Sequence, residues 1–290
     1  MRKDRRRMMR KDSIKKKYII TAVCAIAIVT MVLLGIGSEV VMANNPPVSY
    51  ENYNYTTKTF ETETCTSYGI LTDNNDPEIT TTINGWSVVD RHVEISGLIK
   101  VVGNANLILK DGCKLTASKG INVATGSALT IYGQGGINGE NAVIGELICY
   151  GMDSQAGIGG GEYEHTGCIT INGGKITSRG GLCAAGIGGG FEGPEASIII
   201  NGGIVEAYGE EQGAGIGGGR LGNATIIING GLVTANGGSL AVGIGGGSGG
   251  DGNVEINGGE VEAKGGSDVG IGATSGSVEK ARVTDRKSVV

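Results

Sequence analysis

The sequence predicts an all-β fold: a right-handed parallel β-helix of about seven coils, preceded by a signal or anchor helix. Three observations carry this. Two glycine-rich blocks recur with one period. The residues between them alternate inward and outward. Glycine is abundant where aromatic and helix-forming patterns are scarce. Of 290 residues, 56 are Gly, four are Pro and two are Phe. A collagen rod needs Gly at every third position and abundant Pro, and neither is present. Disorder goes with low hydrophobicity, whereas 39 % of this chain is apolar, in short Ile- and Val-rich runs.

The period comes first, because internal repeats decide the architecture. Gly-Ile-Gly-Gly-Gly starts at Gly157, Gly186, Gly215 and Gly243, with a worn copy at Gly270, in steps of 29, 29, 28 and 27 residues. Ile-Asn-Gly-Gly starts at Ile171, Ile200, Ile228 and Ile256, in steps of 29, 28 and 28. Two blocks with one period make one repeating unit. A helical repeat is excluded, since each Gly inside a helix costs up to about 1 kcal/mol.

Within each unit the alternation is that of strands. Four inward columns follow: Ile169, Ile198, Ile226 and Val254; Ile171, Ile200, Ile228 and Ile256; Ile176, Val205, Val233 and Val261; then the small Ser178, Ala207, Ala235 and Ala263. β-Branched residues on a period of two mark strands. A unit of this length with three short strands and Gly-rich corners is one coil of a solenoid, stacked about 4.8 Å above the last. No coil buries its own core, so stability comes from neighbours. Asn172, Asn201, Asn229 and Asn257 form a further column, each followed by two Gly. It is expected to be a structural turn ladder, because Asn and Gly tolerate the left-handed region and stacked amides bond along the axis.

Upstream, Leu107-Ile108-Leu109 and Leu129-Thr130-Ile131 fit shorter coils, with Leu107 over Leu129 and no Gly-rich extension. Val93-Glu94-Ile95 and Leu98-Ile99 are expected to begin the stack. The chain then divides into residues 1–43, a signal peptide or membrane anchor; 44–85, a linker and N-terminal cap around Trp86; 86–276, the β-helix; and 277–290, a truncated or artefactual tail. Residues 1–43 have the basic start, apolar run and Val41-Met42-Ala43 motif of a secretory signal. Localisation is therefore expected to be secreted or at the cell surface, with membrane contact only through this segment. The tail ends Asp285-Arg286-Lys287-Ser288-Val289-Val290, which suitable codons would make a sequencing-library adapter.

Without residues 1–43, Lys plus Arg falls from 24 to 14 and Asp plus Glu from 29 to 26, a formal charge of −12. Such a surface repels nucleic acid. Cys65, Cys113, Cys149, Cys168 and Cys183 are odd in number and irregular in spacing, so they form no disulfide framework. No CxxC pair is present for zinc. They are expected to be small buried side chains within the coils.

The stretch Val101-Val102-Gly103-Asn104-Ala105-Asn106-Leu107-Ile108-Leu109-Lys110-Asp111-Gly112-Cys113 resembles glycine-rich repeat surface proteins of Gram-positive bacteria. So do Leu129-Thr130-Ile131-Tyr132-Gly133 and the two repeated blocks. The resemblance covers roughly residues 85–276. It implies a pectate-lyase-like β-helix, and such proteins are often grouped as carbohydrate-binding.

The outward columns decide what the surface can do. Thr170, Ile199, Ile227 and Glu255 do not repeat Thr, which argues against an ice-binding face. Calcium solenoids repeat Gly-Gly-x-Gly-x-Asp with a large apolar residue two places on. Gly246–Asp251 matches once, and Asn253 fills the apolar place. No cofactor is therefore expected, calcium being the weak candidate, and no metal ligands are assigned. Asp90, Asp111, Asp153, Asp251 and Asp268 are scattered, whereas glycosidases need two carboxylates at a set separation. No catalytic residue is assigned. Tyr163, Phe191 and Tyr208 lie in or near loops of successive coils, as rings that could stack on sugars, and with His165 of the site-like Glu162-Tyr163-Glu164-His165 cluster they are the candidate ligand-binding residues. The expectation is a non-catalytic β-helix that binds polysaccharide or glycoconjugate, such as cell-wall glycan. The alternatives are a structural stalk or adhesin contacting host protein, and a polysaccharide lyase or glycoside hydrolase.

Overall fold

Strands of the same face stack one above another through the chain, which is why the columns read from the sequence are columns in space. The computed structural model describes residues 45–135, 143–266, 269–273 and 282–285. The signal or anchor segment at residues 1–43 lies outside these, as does the 277–290 tail apart from residues 282–285.

The described region is an all-β, right-handed parallel solenoid of about six turns, and contains no helix. One ladder runs from His92–Ile95 through Lys114–Ala117, Glu146–Tyr150, Lys175–Arg179, Ile204–Tyr208 and Leu232–Asn236 to Glu260–Lys264. Its seven strands are separated by six steps, hence six turns where about seven coils were expected. A typical long coil has strands Cys168–Ile171, Lys175–Arg179 and Ile187–Gly188. Ile169, Ile198, Ile226 and Val254 pair in register, as do Ile176, Val205, Val233 and Val261. Nearly all of these are fully buried in one continuous core. Each buried Ile or Val contributes on the order of 1.5–3 kcal/mol. Ser178 takes its place in the small column by donating its Oγ hydrogen to the carbonyl of Gly186 at 2.7 Å.

The third strand lies inside the Gly-Ile-Gly-Gly-Gly block. Its Ile is fully buried in the first four copies and partly buried at Ile271, and its following Gly has φ between +131° and +145° in every copy. A Cβ at Gly159, Gly188, Gly217 or Gly245 would overlap the carbonyl oxygen of the equivalent Gly one coil on. Glycine is required there by close approach of backbone to backbone, as well as by dihedral angle.

The structure shifts two upstream expectations. The stack begins before Val93: Gly69–Ile70 pairs with Thr81–Val89, which pairs with Ile99–Leu109 across a bulge between Ile83 and Gly85. Leu107 sits beneath Ile131, and Ala105 beneath Leu129, a slide of two residues from the expected alignment. A slide of two preserves which side chains face inward, so periodicity alone could not detect it. Residues 282–285 form a strand paired in parallel with Gly252–Ile256.

Among the described residues, five free cysteines occupy different settings. Cys149 is inside the coils, where burial pushes its thiol pKa up. Cys65 and Cys183 are buried outside that core, Cys113 is half-buried against it, and Cys168 is exposed. The expectation of cysteines inside the coils fits Cys149 and fails for Cys168, whose column faces outward.

Candidate functional site

Residues 48–65 form a β-hairpin that lies on the flank of the coils. Its strands, β1 (Val48–Asn54) and β2 (Thr59–Cys65), pair from Val48↔Cys65 to Asn54↔Thr59. Asn54 sets the turn: its side-chain oxygen accepts from the N–H groups of Thr56 and Thr57 at 2.9 and 3.1 Å. Lys58 has φ +59° and donates its N–H to the carbonyl of Asn54 at 2.7 Å. Asn at a turn favours this arrangement because its side chain mimics a backbone acceptor.

The base of the hairpin is anchored by rings. Tyr50 packs on Trp86 and Tyr132, with centroids 4.8 and 4.7 Å away, and Trp86 stacks on Tyr132 at 5.4 Å. Val48, Cys65, Tyr68, Val88 and Ile108 complete this second, smaller core outside the coils. Tyr50 donates its hydroxyl to Glu63 at 2.6 Å, and Asn52 donates to the same carboxylate at 2.8 Å. These two bonds hold Glu63 below its ordinary value of 4.5. Burial, then the Glu63 bond, raises Tyr50 above its ordinary 10.0. A lowered carboxylate pKa gives stability that is present above 4.5 and lost as pH falls through the folded value. A raised phenol gives stability that is present below 10 and lost as pH rises through its folded value. Fluorescence of Trp86, the one Trp in the chain, is therefore expected to be flat from about pH 5 to 9 and to change outside that window. A drift through neutral pH would contradict this anchor.

Beyond the base, the hairpin reaches over the Asn column. Asn201 donates to the Asn172 carbonyl oxygen at 2.7 Å, Asn229 to Asn201 at 2.7 Å, and Asn257 to Asn229 at 3.0 Å. Asn172, which only accepts within the rail, donates an N–H to Asn52 at 3.3 Å, and the second N–H of Asn201 goes to the Tyr55 hydroxyl at 3.0 Å. Among the described residues, one N–H each of Asn172, Asn229 and Asn257 has no protein partner. The Asn residues are absent from the positive-φ positions; the second Gly of each turn, such as Gly174 at +86° and Gly203 at +89°, takes that conformation. The amides therefore act as a hydrogen-bonded rail, and the glycines make the turn.

Between hairpin and rail is a cleft of about 540 Å³, within the ~300–1,000 Å³ typical of ligand sites. Tyr53, Lys58 and Phe60 line one wall, and Asn172, Asn201 and Asn229 with their glycines line the other. Phe60 stands against Gly202, where a Cβ would meet its ring at 2.8 Å. Tyr53 is packed between Tyr55 and Phe60, at 5.2 and 5.3 Å. Tyr55 and Phe60 remain 57 % and 40 % exposed. Across the hairpin tip a second hollow, of about 220 Å³, is bordered by Tyr53, Tyr55, Ile199, Ile227 and Asn257. The arrangement offers aromatic faces beside in-plane amide donors and acceptors on a rigid floor.

The loop residues chosen from the sequence lie elsewhere. Tyr163, 63 % exposed with φ +58°, meets Phe191 edge-on at 5.6 Å. Arg220 lies over the Phe191 ring at 5.2 Å and bridges to Glu192 at 2.7 Å. Tyr208 is on a different face, under Arg179 at 4.8 Å, so it does not join them. His165 is exposed, and its carbonyl accepts from the Thr125 hydroxyl at 3.2 Å. Asp251, of the single calcium-like match, is exposed, and its N–H donates to Asn223 at 2.8 Å. Among the described residues no three His, Cys, Asp or Glu side chains gather as a metal group.

The family model described as "Beta helix repeat" matches residues 169–191, 198–220, 226–248 and 254–277, one match in each of four successive repeats. With the stacked coils, this makes the chain a parallel β-helix protein. No curated protein and no solved structure matches it.

Proposed function

We propose that this is a secreted or cell-surface β-helix that binds carbohydrate without cleaving it. The observation that carries the reading is the cleft under the hairpin, where Tyr53 and Phe60 face the amides of Asn172, Asn201 and Asn229. Aromatic faces cover the C–H faces of sugars, and amides match paired hydroxyls as donor and acceptor at once. The floor is held by backbone ladders, so little order is lost on binding. The exposed loops give specific support to a second reading, an adhesin contacting protein: Tyr163, Leu182, Leu221 and Leu240 are each at least half exposed, and such apolar surface marks protein contacts.

The test is depletion of the full chain by a panel of neutral and acidic polysaccharides, with and without calcium, with released sugar ends assayed in parallel. Retention without new ends is expected. New reducing or unsaturated ends would establish a hydrolase or lyase instead. Retention on protein alone would favour the adhesin.

A further inference from the structure

We infer that the cleft takes a neutral, extended polysaccharide lying parallel to the solenoid axis, with one sugar ring per coil. The inference rests on the carbohydrate reading and specifies its ligand. Its first support is the repeat itself. The turns at Asn172, Asn201 and Asn229 present the same Asn-Gly-Gly surface in three successive coils. Adjacent coils are about 4.8 Å apart, close to the rise of one ring in an extended β-linked pyranose chain. A polymer with that rise meets an equivalent amide at each ring, whereas a compact or strongly helical glycan falls out of step.

The second support is the hydrogen-bond inventory. Asn201 has spent both N–H groups, one on the rail and one on the hairpin, while Asn172 gives one to the hairpin and is itself nearly buried. Asn229 has spent one on the rail and keeps one for a ligand, in the coil where the cleft passes the hairpin tip. A sugar hydroxyl is a suitable acceptor and can donate onward.

Charge gives the third. The two hollows set Lys58 against Glu51 and Glu255. The chain beyond residue 43 carries −12, as counted above. Uronate polymers would meet net repulsion there, with one lysine to receive their carboxylates. Neutral sugars meet none.

Titration of the full chain with β-1,4-linked gluco-oligosaccharides of one to six rings, and with oligogalacturonates of the same lengths, tests this. Affinity is expected to rise about tenfold or more from one ring to three and then flatten, with the galacturonates about tenfold weaker throughout. Phe60→Ala is expected to lower affinity for the three-ring sugar about tenfold, and Tyr163→Ala to leave it unchanged. Phe60 is outside both cores, and the length series needs no variant at all. A flat length series, a preference for galacturonates, or sensitivity at Tyr163 in place of Phe60 would overturn this inference. Polysaccharide retention would in those cases leave the broader reading standing. Loss of all polysaccharide retention would overturn both.

Discussion

Gly217→Ala is expected to destabilise the solenoid by on the order of 4 kcal/mol or more, the range reserved for severe core damage. Gly217 has φ +139°, and an added Cβ would overlap the Gly245 carbonyl oxygen one coil on. The carbonyl cannot retreat, because it accepts from the Gly218 N–H at 2.9 Å. The two coils would have to separate, and separation exposes the Ile216 and Ile244 side chains that are now fully buried. Gly126→Ala is the control. Its φ is +79°, but nothing lies within 4 Å of the added carbon. The dihedral penalty alone, about 1–2 kcal/mol, is expected there. Thermal unfolding followed by circular dichroism distinguishes the two. Equal losses would mean that backbone angle, and not coil contact, fixes the glycine.

Asn201→Ala is expected to cost about 2–4 kcal/mol, since a buried polar group left unpaired costs ~1–3 kcal/mol. Asn201 is nearly wholly buried, donates to Asn172 and Tyr55, and accepts from Asn229. Its removal strips a partner from all three and leaves a gap under the hairpin. Asn257, half-buried and bonded only to Asn229 within the rail, is expected to lose less than about 1 kcal/mol on the same change. Denaturant unfolding measures both. Hydrogen exchange in β1 and β2 adds a local readout, with faster exchange expected for Asn201→Ala. Equal small losses at the two positions would show that the amide rail carries no stability.

The coils were legible because their physics is periodic. Ile169 and its successors, and the small column from Ser178, could be placed inside from alternation alone. The slide of Leu107 from Leu129 to Ile131 could not, because both registers bury the same face. The candidate site was only half legible. The Asn column was visible and was read as a turn ladder, yet its place as one wall of a cleft depends on what lies over it. The hairpin appears once in the chain, so no repeat announces it. Its signals were local: Tyr50, Tyr53, Tyr55 and Phe60 close together in an aromatic-poor chain, followed by the alternating Thr-Phe-Glu-Thr-Glu-Thr run of β2. Outward-facing Ile199 and Ile227 were a further sign, since bare apolar residues on an exposed strand face call for a cover. Tyr163 and Phe191 do meet, as their equivalent places in successive loops imply. Tyr208 does not, because it ends a strand on another face.

The most direct measurement is the response of side-chain amides in a nuclear magnetic resonance titration with a bound neutral oligosaccharide. The account predicts shifts at the Asn229 side-chain amide and at Phe60, with the Tyr163 and Phe191 loops unchanged. Shifts confined to those loops, with the Asn229 amide still, would contradict it and move the ligand site to the exposed loop face.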